Sequence, residues 1–231
     1  MNLHRIPEPA PIDARADAAA YHEMDHSLVN QQFVDDLFKN GKVGPRVMDI
    51  GCGPADIPIR IGKRLSESEY GYAAAPWQIM AIDNEVEMLE IAKMEIEIAG
   101  LADRITLQFG DVTAFDIYDD GFADTVVSNT LVHHCSEPAQ AIAELVRVTA
   151  PGGRMFIRDL VRPSTHEEIE RLVGLHGEGE SEYAQQLLRQ SLLASLSLQE
   201  TEEIIRGLGV EVHCVQMTSD RHWTIDWKRP E

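Results

Sequence analysis

The chain has 231 residues, 44% of them hydrophobic, and 39 acidic against 20 basic side chains give a formal net charge of −19. That length and apolar content suit one domain with one sizeable core. The negative charge disfavours nucleic-acid partners, whose phosphates are bound by Lys and Arg. Cys52, Cys135 and Cys214 are too few and too scattered for a disulfide framework or a metal cluster, so no metal is expected. Met1 to Ala20 lacks the apolar core of a signal peptide, and no apolar run approaches membrane-spanning length. A cytoplasmic chain with no membrane partner is expected.

Pro7, Pro9 and Pro11 mark the first residues as an extended, mobile arm. Helices are expected from about Asp13 to His22 and from near Ser27, the second with Val29, Phe33, Val34, Leu37 and Phe38 along one face. Gly41 and Gly44 end it. Val47-Met48-Asp49-Ile50 then reads as a buried strand entering a glycine turn, Gly51-Cys52-Gly53. Glycines at these positions let the backbone turn tightly and approach a ligand. The next helix is expected to start on Asp56 as its cap, with Pro58 in its first turn. A dinucleotide fingerprint would place a third small residue at position 56, and a carboxylate there repels phosphate. The loop therefore suits a nucleoside without phosphates, preferably a cationic one.

Strands and helices alternate from here, the pattern of a parallel sheet covered on both faces. Residues 66–77 read as a loose connection, Gly100 closes the helix after Asp83, and Ser136-Glu137-Pro138 opens another. The alternation stops after the fifth strand. Residues 164–208 read as two or three consecutive helices, with capping-box patterns at Ser164/Glu167 and Ser197/Glu200. Two β-like stretches, Val210 to Met217 and His222 to Lys228, close the chain.

The glycine loop resembles the acidic-x-Gly-x-Gly motif of class I S-adenosylmethionine-dependent methyltransferases. Ile79-Met80-Ala81-Ile82-Asp83 is similar to the family's second strand, Phe109-Gly110-Asp111-Val112 to its adenine-side loop, Asp124 to Asn129 to strand four, and Arg147 to Arg154 to the turn before strand five. Pro54-Ala55 departs from the motif, where a third glycine is usual. The resemblance implies an α/β, Rossmann-like fold: a seven-stranded, mostly parallel sheet with an antiparallel final strand. It divides the chain into an arm and lid helices at 1–45, a cofactor core at 46–163, a helical insertion covering the substrate pocket at 164–208 and a closing hairpin at 209–231.

The same resemblance implies S-adenosylmethionine as cofactor. Asp49 would organise its amino-acid end over Gly51, Cys52 and Gly53, and Asp83 with Asn84 would take the ribose hydroxyls. Met88 would line the ribose, Gly110, Asp111 and Val112 would meet the adenine, and Asn129 would close the site. Asp83 and Asp111 could instead cap strand-to-helix turns. For the acceptor, His133 and His134 after strand four and Arg158-Asp159 at the end of strand five are the candidates, with Tyr21 as a lid residue. His134 is favoured as the group facing the sulfur, against a structural use of both histidines. Arg158 could clamp a substrate carboxylate or pair internally with Asp159. Two clusters, Tyr21 to His26 and Arg221-His222-Trp223, invite a metal, but neither shows a clear ligand set. The expected activity is in-line methyl transfer to a small molecule. The competing readings are a cofactor-binding module without turnover and a nicotinamide-dependent oxidoreductase.

Overall fold

The computed structural model describes residues 3–9, 26–67 and 76–231. Its elements, in chain order, begin with α1 (Ser27–Asn40), β1 (Arg46–Ile50), α2 (Asp56–Ser66), β2 (Gln78–Asp83), α3 (Val86–Ile98) and β3 (Ile105–Phe109). They continue with β4 (Ala123–Asn129), α4 (Pro138–Val148), β5 (Thr149–Leu160), α5 (His166–His176), α6 (Glu182–Ala194), α7 (Leu198–Gly207), β6 (Val215–Met217) and β7 (His222–Lys228). The seven strands form one sheet in the order β3-β2-β1-β4-β5-β7-β6. β1 runs parallel to both β2 and β4, β2 parallel to β3, and β6 antiparallel to β7. The expected Rossmann-like sheet is therefore present.

Two compact units make up the described chain. One contains the described residues of Pro11–Asn129, together with Glu144–Ile157 and Lys228–Glu231. Its core gathers Phe33, Val34 and Leu37 of α1, Val47 of β1, Ile57, Ile61 and Leu65 of α2, and Trp77, Ile79, Val127 and Phe156. Phe33 meets Phe156 edge to face at 5.1 Å. Val29 and Leu28 are exposed, so the buried stripe of α1 starts one turn later than its apolar pattern suggests. β1 is buried from Val47 to Ile50, as a parallel strand covered on both faces must be. The order of the sheet reverses between β1 and β4, the switch point at which open α/β sheets bind ligands.

The other unit contains Thr130–Ala143, Arg158–Trp227 and the described N-terminal residues. Leu160, Ile169, Leu172, Val173 and Leu192 form its apolar cluster, with Leu3 packed against it. Three consecutive helices fill the 164–208 stretch. The capping box at Ser197/Glu200 is present in full. The first helix is capped by Thr165, not Ser164, because Thr165 Oγ1 accepts from Glu168 N. The predicted strand over Val210 to Met217 is shorter: Val212–Cys214 turns as a 3-10 helix, leaving Val215–Met217 paired with β7.

The N-terminal arm is extended but held in place. Arg5 donates to the carbonyls of Ala194 at 2.6 Å, Cys135 at 2.6 Å and His133 at 3.1 Å, and Ile6 N donates to Leu193 O at 3.0 Å. A guanidinium fork that satisfies three carbonyls fixes a segment that composition alone marks as loose. Tyr21, His22 and the helix predicted before Ser27 fall outside the described residues, as does most of the 66–77 connection.

Candidate cofactor and acceptor sites

The loop after β1 is built by positive-φ backbone. Gly51 has φ 74° and Gly53 φ 51°, values that L side chains avoid. Gly51 N and Cys52 N both donate to Ile82 O at 2.9 Å, which ties the loop to the end of β2. Ala55 also adopts φ 68°, so the missing third glycine is replaced by a strained, buried alanine that caps α2. Asp56 is the first residue of α2 and not its cap. Its Oδ2 accepts from Arg60 Nε at 2.8 Å and from Asn30 Nδ2 at 2.9 Å. The expectation that Asp56 repels phosphate is corrected here, because its charge is neutralised by Arg60.

Two more acids lie deeper, near the ends of β1 and β2. Asp49 is 1% exposed and its Oδ2 has no hydrogen-bond partner. Asp83, at the end of β2, accepts from Gly53 N at 2.8 Å and from Glu85 N at 2.9 Å. Burial first, and then the Asp83 charge, pushes the Asp49 carboxyl up to about 8. Cys52 is buried beside the two acids, and burial pushes its thiol up as well. Gly110 N donates to Asp83 O at 3.0 Å, placing the next loop at the same strand end. Asp111 Oδ1 accepts from Thr113 N and Thr113 Oγ1, both at 2.8 Å, so this acid does cap its turn. Asn84 is exposed, Met88 half-buried and Val112 buried. Asn129 Nδ2 reaches Asn30 Oδ1 at 3.4 Å. The structure brings these predicted residues to the carboxyl ends of β1 to β4. Asn30, which bridges Asn129 and Asp56, was not legible because nothing in α1 distinguishes it from a solvent-facing polar residue.

In the other unit, His133 and His134 occupy a 3-10 turn after β4 and differ sharply. His133 is 3% exposed, and its Nδ1 lies 2.5 Å from Asp159 Oδ1. His133 N also donates to Asp159 Oδ2 at 3.0 Å. His134 is half-exposed, and its Nδ1 lies 2.5 Å from Glu8 Oε2. Burial works to raise the Asp159 carboxyl, but the charge and hydrogen bond of His133 outweigh it and hold it low. Burial likewise acts to raise Glu8, and His134, His133 and Ser191 together bring it down to about 2. Arg158 Nε donates to Thr224 Oγ1 at 2.9 Å, and Asp159 is engaged by His133. Thr130, a β-branched residue at φ 56°, is a backbone outlier of the kind found at functional sites.

Glu8, His133 and His134 place three ligand-type atoms within 4.8 Å of one another. Glu8 Oε2 is hydrogen-bonded to His134 Nδ1, and Glu8 Oε1 lies 3.9 Å from His133 Nε2. Glu8 itself was missed, since its partners His134 and Ser191 lie 126 and 183 residues away in sequence. His222, from the other cluster suspected of metal binding, has its Nδ1 2.8 Å from Ser219 Oγ. Burial, then Arg221 and Arg158, lowers it to about 3.

A family model described as a methyltransferase domain matches residues 42–210. The chain belongs to that family. A malonyl-[acyl-carrier protein] O-methyltransferase of Erwinia billingiae is 33% identical over 125 residues, which cover 54% of this chain and 42% of that protein. The methyltransferase GfsG of Streptomyces halstedii is 25% identical over 72% of this chain and 53% of its own length. The matches thus span about half, or less, of these curated relatives. A crystal structure of a SAM-dependent methyltransferase from Aquifex aeolicus aligns with a TM-score of 0.66 at 18% identity, covering 94% of this chain and 98% of the other. The fold is that of the S-adenosylmethionine-dependent methyltransferases. The methyltransferase-domain loop also passes a test of fit: the buried, unpartnered Asp49 Oδ2 and the adjoining Asp83 suit a cation and oppose a diphosphate. No helix among the described residues is long and apolar enough to cross a membrane.

Proposed function

We propose that this chain transfers a methyl group from S-adenosylmethionine to a small-molecule acceptor. The observation that carries the reading is the buried Asp49–Asp83 pair under a positive-φ glycine loop at the sheet's switch point. When bound, S-adenosylmethionine supplies an electrophilic methyl group on a sulfonium. Asp49 meets the cofactor's positive charge, and Gly51, Cys52 and Gly53 leave room for close backbone approach. Asp83, fixed by two backbone amides, accepts from the ribose hydroxyls, with Asn84 and Met88 beside it. Gly110, Asp111 and Val112 serve the adenine, and Asn129 completes the cofactor side.

On the acceptor side, His133 is assigned as the group that takes the acceptor's proton. Asp159 fixes its ring through Nδ1 and Glu8 Oε1 lies 3.9 Å from its Nε2, whereas His134 is half-exposed with its Nδ1 on Glu8. Arg158 orients the acceptor. Holding acceptor and donor in line supplies ~7–11 kcal/mol in favourable cases, so a positioned base suffices. The charge of −19 supports a small acceptor over a nucleic acid, and the acyl-carrier-bound substrate named for the Erwinia relative supports a metabolic one. A reducing, cytoplasmic setting agrees with Cys52, Cys135 and Cys214 all being free thiols.

Incubation of the pure protein with methyl-labelled S-adenosylmethionine and a panel of carboxylate, phenol and amine metabolites tests this reading. Label on at least one acceptor, lost in His133→Ala, is the expected result. Tight cofactor binding with no label transferred to any acceptor contradicts it and describes a binding module.

A further inference from the structure

Asp49 lies one residue before the end of β1, and Asp83 ends the neighbouring parallel strand β2. They are 1% and 8% exposed, and the Asp83 charge acts on Asp49. Two carboxylates crowded together out of water do not both ionise unless a cation joins them. Backbone amides of Gly53 and Glu85 support the charge on Asp83. Oδ2 of Asp49 has no such donor, so Asp49 is the member that keeps a proton in the unliganded protein.

The surroundings agree. Among the described residues, Asp83 is the charged group that perturbs Asp49, and Cys52 is the other titratable side chain facing the pair. β4, on the other side of β1, places Val127 opposite Asp49, with uncharged Val126 and Ser128 on either side of it. Asp56 and Arg60 of α2 neutralise one another.

We propose that Asp49 exchanges its proton for the cationic cofactor. The inference rests on the donor assigned above. As the cation binds, the Asp49 O–H bond breaks, the proton passes to the buffer, and the carboxylate remains paired with the cation. The complex keeps the net charge of the unliganded protein plus a released proton, so charge and atoms balance. The upward displacement of the Asp49 carboxyl, to about 8, is the behaviour this exchange needs near neutrality. A neutral adenine nucleoside offers Asp49 no counter-charge and leaves the proton where it is. The pair thereby selects a charged donor, and affinity for it rises roughly tenfold per pH unit below about pH 8 and levels off above.

Calorimetric titration at about pH 7, in buffers of different ionisation enthalpy, counts the protons released. Wild-type protein titrated with S-adenosylmethionine is expected to release close to one proton per site. Asp49→Asn is expected to release none, and so is wild-type protein titrated with 5′-methylthioadenosine, an uncharged adenosine thioether. Zero release with S-adenosylmethionine, or equal release from Asp49→Asn, overturns the proposal. Should Asp49→Asn fail to fold, the wild-type affinity profile decides: a Kd unchanged between about pH 6 and 8 overturns it, and a steady fall supports it. Wild-type protein that binds no S-adenosylmethionine at any pH overturns the donor assignment instead, a result distinct from binding without proton release.

Discussion

Asp49 and Asp159 are equally buried, each 1% exposed at the carboxyl end of a strand, yet their carboxyls move in opposite directions. Burial alone raises both. Asp159 faces an imidazole and two further hydrogen bonds, from the backbone of His133 and Leu160, which more than offset the burial. Asp49 faces another carboxylate, which adds to it. One unit therefore satisfies its buried acid internally, whereas in the other Asp49 Oδ2 has no hydrogen-bond partner. The pH dependences are opposite in sign. A depressed Asp159 stabilises the fold above its ordinary range, a contribution lost as pH falls through its folded value. A raised Asp49 costs the unliganded fold stability progressively as pH climbs from the ordinary 3.8 towards about 8.

The contrast is broken most severely by Asp159→Asn. Removing one partner of a buried pair costs about 3–5 kcal/mol, because His133 loses the carboxylate that meets both its ring and its backbone N–H. Urea denaturation is expected to show that loss, and turnover is expected to fall by roughly 100-fold or more as His133 loses its orientation. Gly51→Val strikes the other region. A β-branched residue at φ 74° costs about 1–2 kcal/mol and fills the space the ligand needs. Its affinity for S-adenosylhomocysteine is expected to drop by roughly 100-fold, about 2.7 kcal/mol, while the protein still folds.

A gentler effect belongs to Glu8. Its carboxyl is held at about 2 against an ordinary 4.5, so its contribution is complete above about pH 4.5 and is lost as pH falls towards 2. Amide exchange at Ile6, whose N–H donates to Leu193 O, is expected to quicken over that window and to lose this pH dependence in Glu8→Gln. The smallest effect is that of Ala55→Gly. Relief of left-handed strain, about 1–2 kcal/mol, is opposed by a lost buried methyl of about 0.8 and by added chain entropy of about 0.5–1. Thermal unfolding should place the variant within about 0.5 kcal/mol of wild type, and a loss well above 1 would show that Ala55 is not strained.

Local chemistry carried much of this molecule into its sequence. The glycines at 51 and 53, the acids at 49, 83 and 111, and the alternation of apolar strands with helices all act over a few residues and are present, while two helix caps fall one residue from the expected place, at Ala55 and Thr165. What stayed hidden depends on distance along the chain. Glu8 looks like one acid in a proline-rich arm until Arg5 anchors that arm to three carbonyls. Asp56 looks like a repelling charge until Arg60 and Asn30 are seen on it. The two adjacent histidines are alike in sequence and are separated by burial alone, since a 3-10 turn points one inward to Asp159 and leaves the other half-exposed.

The most direct measurement is a side-by-side calorimetric titration of the wild-type protein with S-adenosylmethionine and with NAD. A cation-seeking carboxylate pair beneath the glycine loop predicts saturable binding of the former and none of the latter. Binding of the diphosphate, with no heat from S-adenosylmethionine, would contradict it.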